Sequence, residues 1–78
     1  LINKDHRAAF NNFKKASMMN NLNAINSLGV CYEEGNGVEI DHKKAVEYYM
    51  YASLKGHPLA LSNRAIYQIK TNQVENNI

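Results

Sequence analysis

Apolar residues recur along the chain at helical spacing, in four stretches separated by short polar or glycine-bearing turns. In the first stretch Ala9, Phe13 and Ala16 fall at i, i+4 and i+7, with Phe10 widening the stripe, the pattern of one buried helix face. The second carries Ala24, Leu28 and Tyr32, flanked by Ile25 and Cys31. The third carries Ala45, Tyr49 and Ala52, widened by Val46, Tyr48 and Leu54. The fourth, from Pro58, carries Ala60, Ala65, Ile66, Tyr67 and Ile69. The spacing predicts helices over about 5–19, 21–34, 42–55 and 58–70, and an all-α fold. Punctuation agrees with it. Asp5 and Asp41 stand where a side-chain oxygen can cap the free amides of a first turn. Asn20 and Gly56 stand just past helix ends, where a positive φ is usual. Gly35-Asn36-Gly37 closes the second helix and Val38 follows as an apolar plug, while Pro58 suits a first helical position. Gly29 is out of place in mid-helix, where glycine costs ~1 kcal/mol against alanine; a close helix approach there is the expected reason.

The four stretches are two copies of one pattern. Shifted by 36 residues, Asp5 falls on Asp41, His6 on His42, Ala9 on Ala45, Ala16 on Ala52, Ser17 on Ser53 and Ala24 on Ala60. Similar types also coincide, Phe13 with Tyr49, Met18 with Leu54, Ile25 with Leu61 and Val30 with Ile66. A fixed period of this length signifies a stacked array of one supersecondary unit. The expected partition is the second helix of a partial repeat over 5–20, a full repeat over 21–56, the first helix of a further repeat over 57–70, and a frayed tail over 71–78. The pattern decays towards that tail: Arg64 stands in the slot of Leu28, Gln68 in that of Tyr32, and Thr71 and Gln73 in those of the two loop glycines. Repeats contact only their neighbours and about three are usually needed for stability. One full and two partial units therefore read as a piece of a longer array, or as a domain whose caps lie outside it.

The run Ala24, Leu28-Gly29, Tyr32, Gly35, Gly37-Val38, Asp41, Lys44-Ala45, Tyr49, Ala52, Gly56 and Ala60 closely resembles the Sel-1-like repeat. Tyr48 stands where that family often has Trp, and Ala52-Ser53 where it usually has Ala-Ala. The ordinary tetratricopeptide repeat has a 34-residue period and fits less well than the 36-residue spacing with its Gly-Asn-Gly-Val loop. The resemblance implies antiparallel helix pairs stacked into a right-handed α/α superhelix. It also implies adaptor or scaffold work without catalysis, the partners being a protein or peptide and the neighbouring repeats of the same chain. By analogy with tetratricopeptide repeats, the first helix of each unit lines a concave groove. That places Asn23, Asn26, Val30, Glu33 and Glu34 of the second helix in the groove. From the fourth helix it places Leu59, Ser62, Asn63, Ile66, Ile69 and Lys70 there. Val30 and Ile66 admit two readings, packing against the neighbouring repeat or an apolar floor for a bound peptide. The family occurs in several compartments, so location is open, with the cytoplasm the default.

Composition narrows the chemistry further. In 78 residues, nine Lys and Arg stand against seven Asp and Glu, a net charge of +2. Those charges are scattered, with no clustered basic face of the kind nucleic acid requires, so no nucleic-acid partner is expected. No apolar run approaches the ~20 residues of a membrane span, so no membrane insertion is expected. Cys31 is the only cysteine, which excludes an internal disulfide and a multi-thiolate zinc site; it reads as a buried structural thiol. A Cys-His nucleophile would have to join Cys31 to His6, His42 or His57, and each histidine already sits in a helix start or a turn. No metal site and no cofactor are expected. The competing enzymatic reading is a hydrolase of the bacterial Sel-1-like, β-lactam-binding kind. It lacks support in the chain, because no Ser has Lys three residues on and the paired cysteines of those relatives are missing. A third reading is a purely structural spacer within a longer array.

Overall fold

The computed structural model of the chain describes residues 4–65. Helices α1 (Lys4–Ser17), α2 (Leu22–Glu34) and α3 (His42–Leu54) follow one another, and a fourth, α4, is described over 58–65. Among the described residues there is no strand. The fold is all-α, a helical-repeat solenoid fragment, with α2 packed between α1 and α3. The expected parts of the fourth helix and tail beyond residue 65 lie outside the described residues.

The turns form where short-range chemistry demands them. Asn20 is the one described non-glycine residue at positive φ, at 60°, and Gly56 takes φ 100° at the equivalent place. Asn21 caps α2 by accepting from the Ala24 N–H at 3.1 Å, and Asp41 caps α3 by accepting from the Lys44 N–H at 3.1 Å. Asp5 is not the equivalent cap of α1: the helix is described from Lys4, so Asp5 lies inside its first turn. A negative side chain there still complements the helix dipole. Gly35 ends α2, its N–H donating to the Cys31 carbonyl at 2.8 Å.

The core is the predicted stripes of α2 and α3 with Ala60 of α4, whereas Ala9, Phe13 and Ala16 of the α1 stripe are only half-buried and Ala65 is exposed. Ala24, Ile25, Leu28, Cys31 and Tyr32 of α2 are buried, as are Ala45, Tyr49 and Ala52 of α3 and Ala60 of α4. Leu28 and Tyr49 are the largest fully enclosed side chains, and a buried Leu contributes about 1.5–3 kcal/mol. An aromatic stack ties all three complete helices together. Phe10 of α1 meets Tyr32 edge-on at 5.6 Å, and Tyr32 stacks on Tyr48 of α3 at 5.6 Å and 10°. Val38 packs on the same cluster as the predicted plug. Leu54 departs from expectation and is exposed. It lies two residues past Ala52, about 200° round the helix, which turns it from the buried stripe to the opposite side.

Candidate functional site

Four of the residues expected in the groove, Asn23, Asn26, Glu33 and Asn63, also hold the helices in place. On α2, Asn26 is buried, and its Oδ1 accepts from Asn63 Nδ2 of α4 at 3.1 Å. Asn23 Oδ1 accepts from the His57 ring at 2.7 Å. His57 Nδ1 in turn accepts from the Ala60 N–H at 3.2 Å, so the ring proton sits on Nε2 and points at Asn23. His57 therefore caps α4 as Asn21 caps α2, 36 residues earlier. Glu33 Oε1 accepts from the Tyr49 hydroxyl at 2.7 Å, joining the far end of α2 to α3. Burial first, and this bond second, push the Tyr49 phenol far above its ordinary range. Glu34 is exposed and accepts from Asn36 Nδ2 at 3.0 Å.

What remains open on this side is a smaller set. Asn23 and Glu34 of α2 and Leu59 and Ser62 of α4 are exposed, with Val30 half-buried. Val30 packs against the Tyr32–Ala45–Tyr49 cluster and borders a recess shared with Ala9 and Phe13 of α1. Ile66, Ile69 and Lys70 lie outside the described residues.

A second concavity escaped the sequence reading. A recess of about 360 Å³ opens between the end of α1 and the outer side of α3, floored by Ile25 and walled by Ser17, Asn20, Lys44, Glu47, Tyr48 and Tyr51. Tyr48 and Tyr51, one helical turn apart with Lys44 and Glu47 on the same side, were its only sequence signal. Nothing in the local pattern says that Asn20 and Ser17 arrive opposite them, because that depends on how α1 and α3 each pack on α2.

The arrangement offers little for covalent chemistry. Cys31 and His6 border one recess, but burial, and secondly Glu34, raise the Cys31 thiol above its ordinary value. A cysteine nucleophile needs the reverse shift. Among the described residues no group of three or more His, Cys, Asp or Glu side chains could hold a metal ion. No described helix is long and apolar enough to cross a membrane.

Stacked helix pairs whose polar side chains join neighbouring helices define the class: a helical-repeat protein. The family model described as Sel1 repeat matches residues 1–21 and 22–57, and the chain belongs to the Sel1 repeat family. It is a module of the protein-interaction kind typical of that family. It is similar to Protein SHC1 of Saccharomyces cerevisiae, in two strains, at 32% identity over 62 residues. The match covers 80% of this chain, which spans 12% of the length of those curated relatives. No solved structure matches the chain.

Proposed function

We propose that the chain is a non-catalytic adaptor or scaffold module that holds a peptide or protein on the face shared by α2 and α4. Its frame is the full repeat over 21–56, flanked by half repeats over 5–20 and 57–70. The observation that carries the reading is the pair of side-chain bonds between these helices, Asn23 to His57 and Asn26 to Asn63. They fix one polar surface before any partner arrives, and a surface ordered in advance loses less entropy on binding. Asn23, Glu34, Leu59 and Ser62 supply exposed amide, carboxylate, apolar and hydroxyl groups on it. Half-buried Val30 extends it; Ile66, Ile69 and Lys70 belong to the same proposed set by sequence register alone. A peptide laid in a groove between helices is an established recognition mode. The recess walled by Tyr48 and Tyr51 favours a second seat, for a single side chain of the partner.

A displayed peptide library selected on the 78-residue chain tests this. Asn23→Arg with Ser62→Arg removes binding of the selected peptides if the shared face is the site, while circular dichroism stays that of the wild type. Loss with Tyr51→Asp instead moves the site to the recess. Binding unaffected by either variant leaves the chain as a spacer. The hydrolase reading predicts turnover of nitrocefin by the same preparation; the adaptor reading predicts none.

A further inference from the structure

The basic residues are scattered in sequence, yet the fold gathers three of them along one valley between α1 and α3. Its floor is α2: Tyr32 meets Phe10 of α1 on one side and Tyr48 of α3 on the other, and Ile25 floors the recess beyond them. Walls and floor are all helices of the described chain, so the valley does not depend on what precedes α1 or follows α4. Three lysine ammoniums lie along it, each over a ring. Lys14 is over Phe10 at 5.8 Å, Lys44 over Tyr32 at 5.3 Å and Lys55 over Tyr51 at 5.7 Å. All three lysines are exposed, and none has a carboxylate partner among the described residues. An ammonium over a ring keeps N–H donors for an acceptor, and one already placed loses less entropy when the acceptor arrives. Asn20, Tyr48 and Tyr51 add amide and hydroxyl donors along the recess, where Glu47 is the one lining carboxylate. By contrast α2 carries Glu33 and Glu34 and no Lys or Arg.

The geometry points to an acidic peptide segment of a partner protein as the occupant of this valley. Its carboxylates pair with Lys14, Lys44 and Lys55, and one of its side chains enters the recess. The inference rests on the adaptor reading for the kind of occupant, a protein, and uses a surface separate from that of α2 and α4. Single-stranded nucleic acid fits less well. It binds such surfaces by stacking bases on free ring faces, whereas Phe10, Tyr32 and Tyr48 are packed on one another and two of the rings in the valley already carry a lysine from its walls. Glu47 also opposes an unbroken polyanion. Exposed charge pairs are screened by salt, so binding weakens as ionic strength rises.

Amide NMR titration of the 78-residue chain with a capped Glu-Glu-Gly-Glu-Glu-Gly peptide tests this, with the Gln counterpart and a single-stranded hexathymidylate as comparison probes. The expected result is saturable shifts at Lys14, Lys44, Tyr48 and Tyr51, lost at high salt and absent with the Gln peptide. Lys14→Gln with Lys44→Gln weakens binding by about tenfold, while Lys14→Arg with Lys44→Arg retains it. Glu47→Gln tightens it. Lys4→Gln with Lys43→Gln lowers the net charge equally but removes no lysine held over a ring, and leaves affinity near that of the wild type. The proposal is overturned by equal binding of the Gln peptide, by tighter binding of hexathymidylate, or by an equal loss in the Lys4–Lys43 pair. If circular dichroism finds the Lys14–Lys44 glutamine pair unfolded, Glu47→Gln decides alone: affinity that does not rise overturns it. The surface shared by α2 and α4 is read separately, by selected peptides and the Asn23→Arg with Ser62→Arg variant, so either reading fails without the other.

Discussion

Gly29 is the residue on which the packing of α2 against α3 turns. A Cβ built there would lie 2.5–2.6 Å from two carbons of the Tyr49 ring. The ring cannot swing aside, being enclosed and held through its hydroxyl by Glu33. Gly29→Ala therefore sets two effects against each other: alanine gains ~1 kcal/mol of helix propensity, while overpacking costs ~1–3 kcal/mol. The clash wins, and urea denaturation should find the variant less stable than the wild type, Gly29→Leu more severely so. Equal or greater stability in the alanine variant would end the close-approach explanation. Tyr49 also fixes a pH dependence. Its phenol is raised in the folded chain, so the unfolded chain loses the proton first. Stability from this group is complete below the unfolded value of about 10 and declines as pH rises beyond it. The Cys31 thiol, raised above 9.0, acts in the same direction. Tyr49→Phe should flatten the alkaline fall in melting temperature; an unchanged slope would mean that the phenol is not the group responsible.

Among the elements, the repeat conserves a job and not a residue. Asn21 and His57 stand 36 apart and both cap the helix that follows, one with an amide oxygen and one with an imidazole nitrogen. His57 also reaches back to Asn23, which a shorter side chain would not do. His57→Ala should cost about 1 kcal/mol for the lost cap, with a further loss for Asn23. His57→Asn should recover the cap part only. A chemical-denaturation series of wild type, Asn and Ala variants in that order of stability checks it; Asn no better than Ala would refute the capping role. The Gly35–Val38 loop has a comparable constraint. Gly37 takes φ 78°, and a Cβ there would collide with the backbone of His6 and Arg7, so the loop is seated directly on the first turns of α1. The sequence marks that glycine as a turn residue. It gives no sign that the neighbour it must admit lies some thirty residues earlier in the chain.

For the whole molecule, the proposed peptide surface is built from Asn23, Glu34, Leu59 and Ser62. The aromatic stack from Phe10 through Tyr32 to Tyr48 explains why the pieces hold one geometry. It is flanked by Lys14 over Phe10 at 5.8 Å and Lys44 over Tyr32 at 5.3 Å, contacts worth ~0.5–1 kcal/mol each at exposed sites.

The sequence by itself determined the helices, their turns, the buried stripes of α2 and α3 and the family, because periodicity, capping and positive-φ demands are local and the 36-residue repeat states most of them twice. It did not determine which polar residues stay free. Asn26 and Asn63, chosen from their register as groove residues, bond each other across 37 positions, and Glu33 is held by Tyr49. The recess at Tyr48 and Tyr51 arises only from the way α1 and α3 are both seated on α2. Those outcomes depend on interhelix distances and crossing directions, which are set by side-chain volumes summed over the whole core, and no local pattern carries that sum.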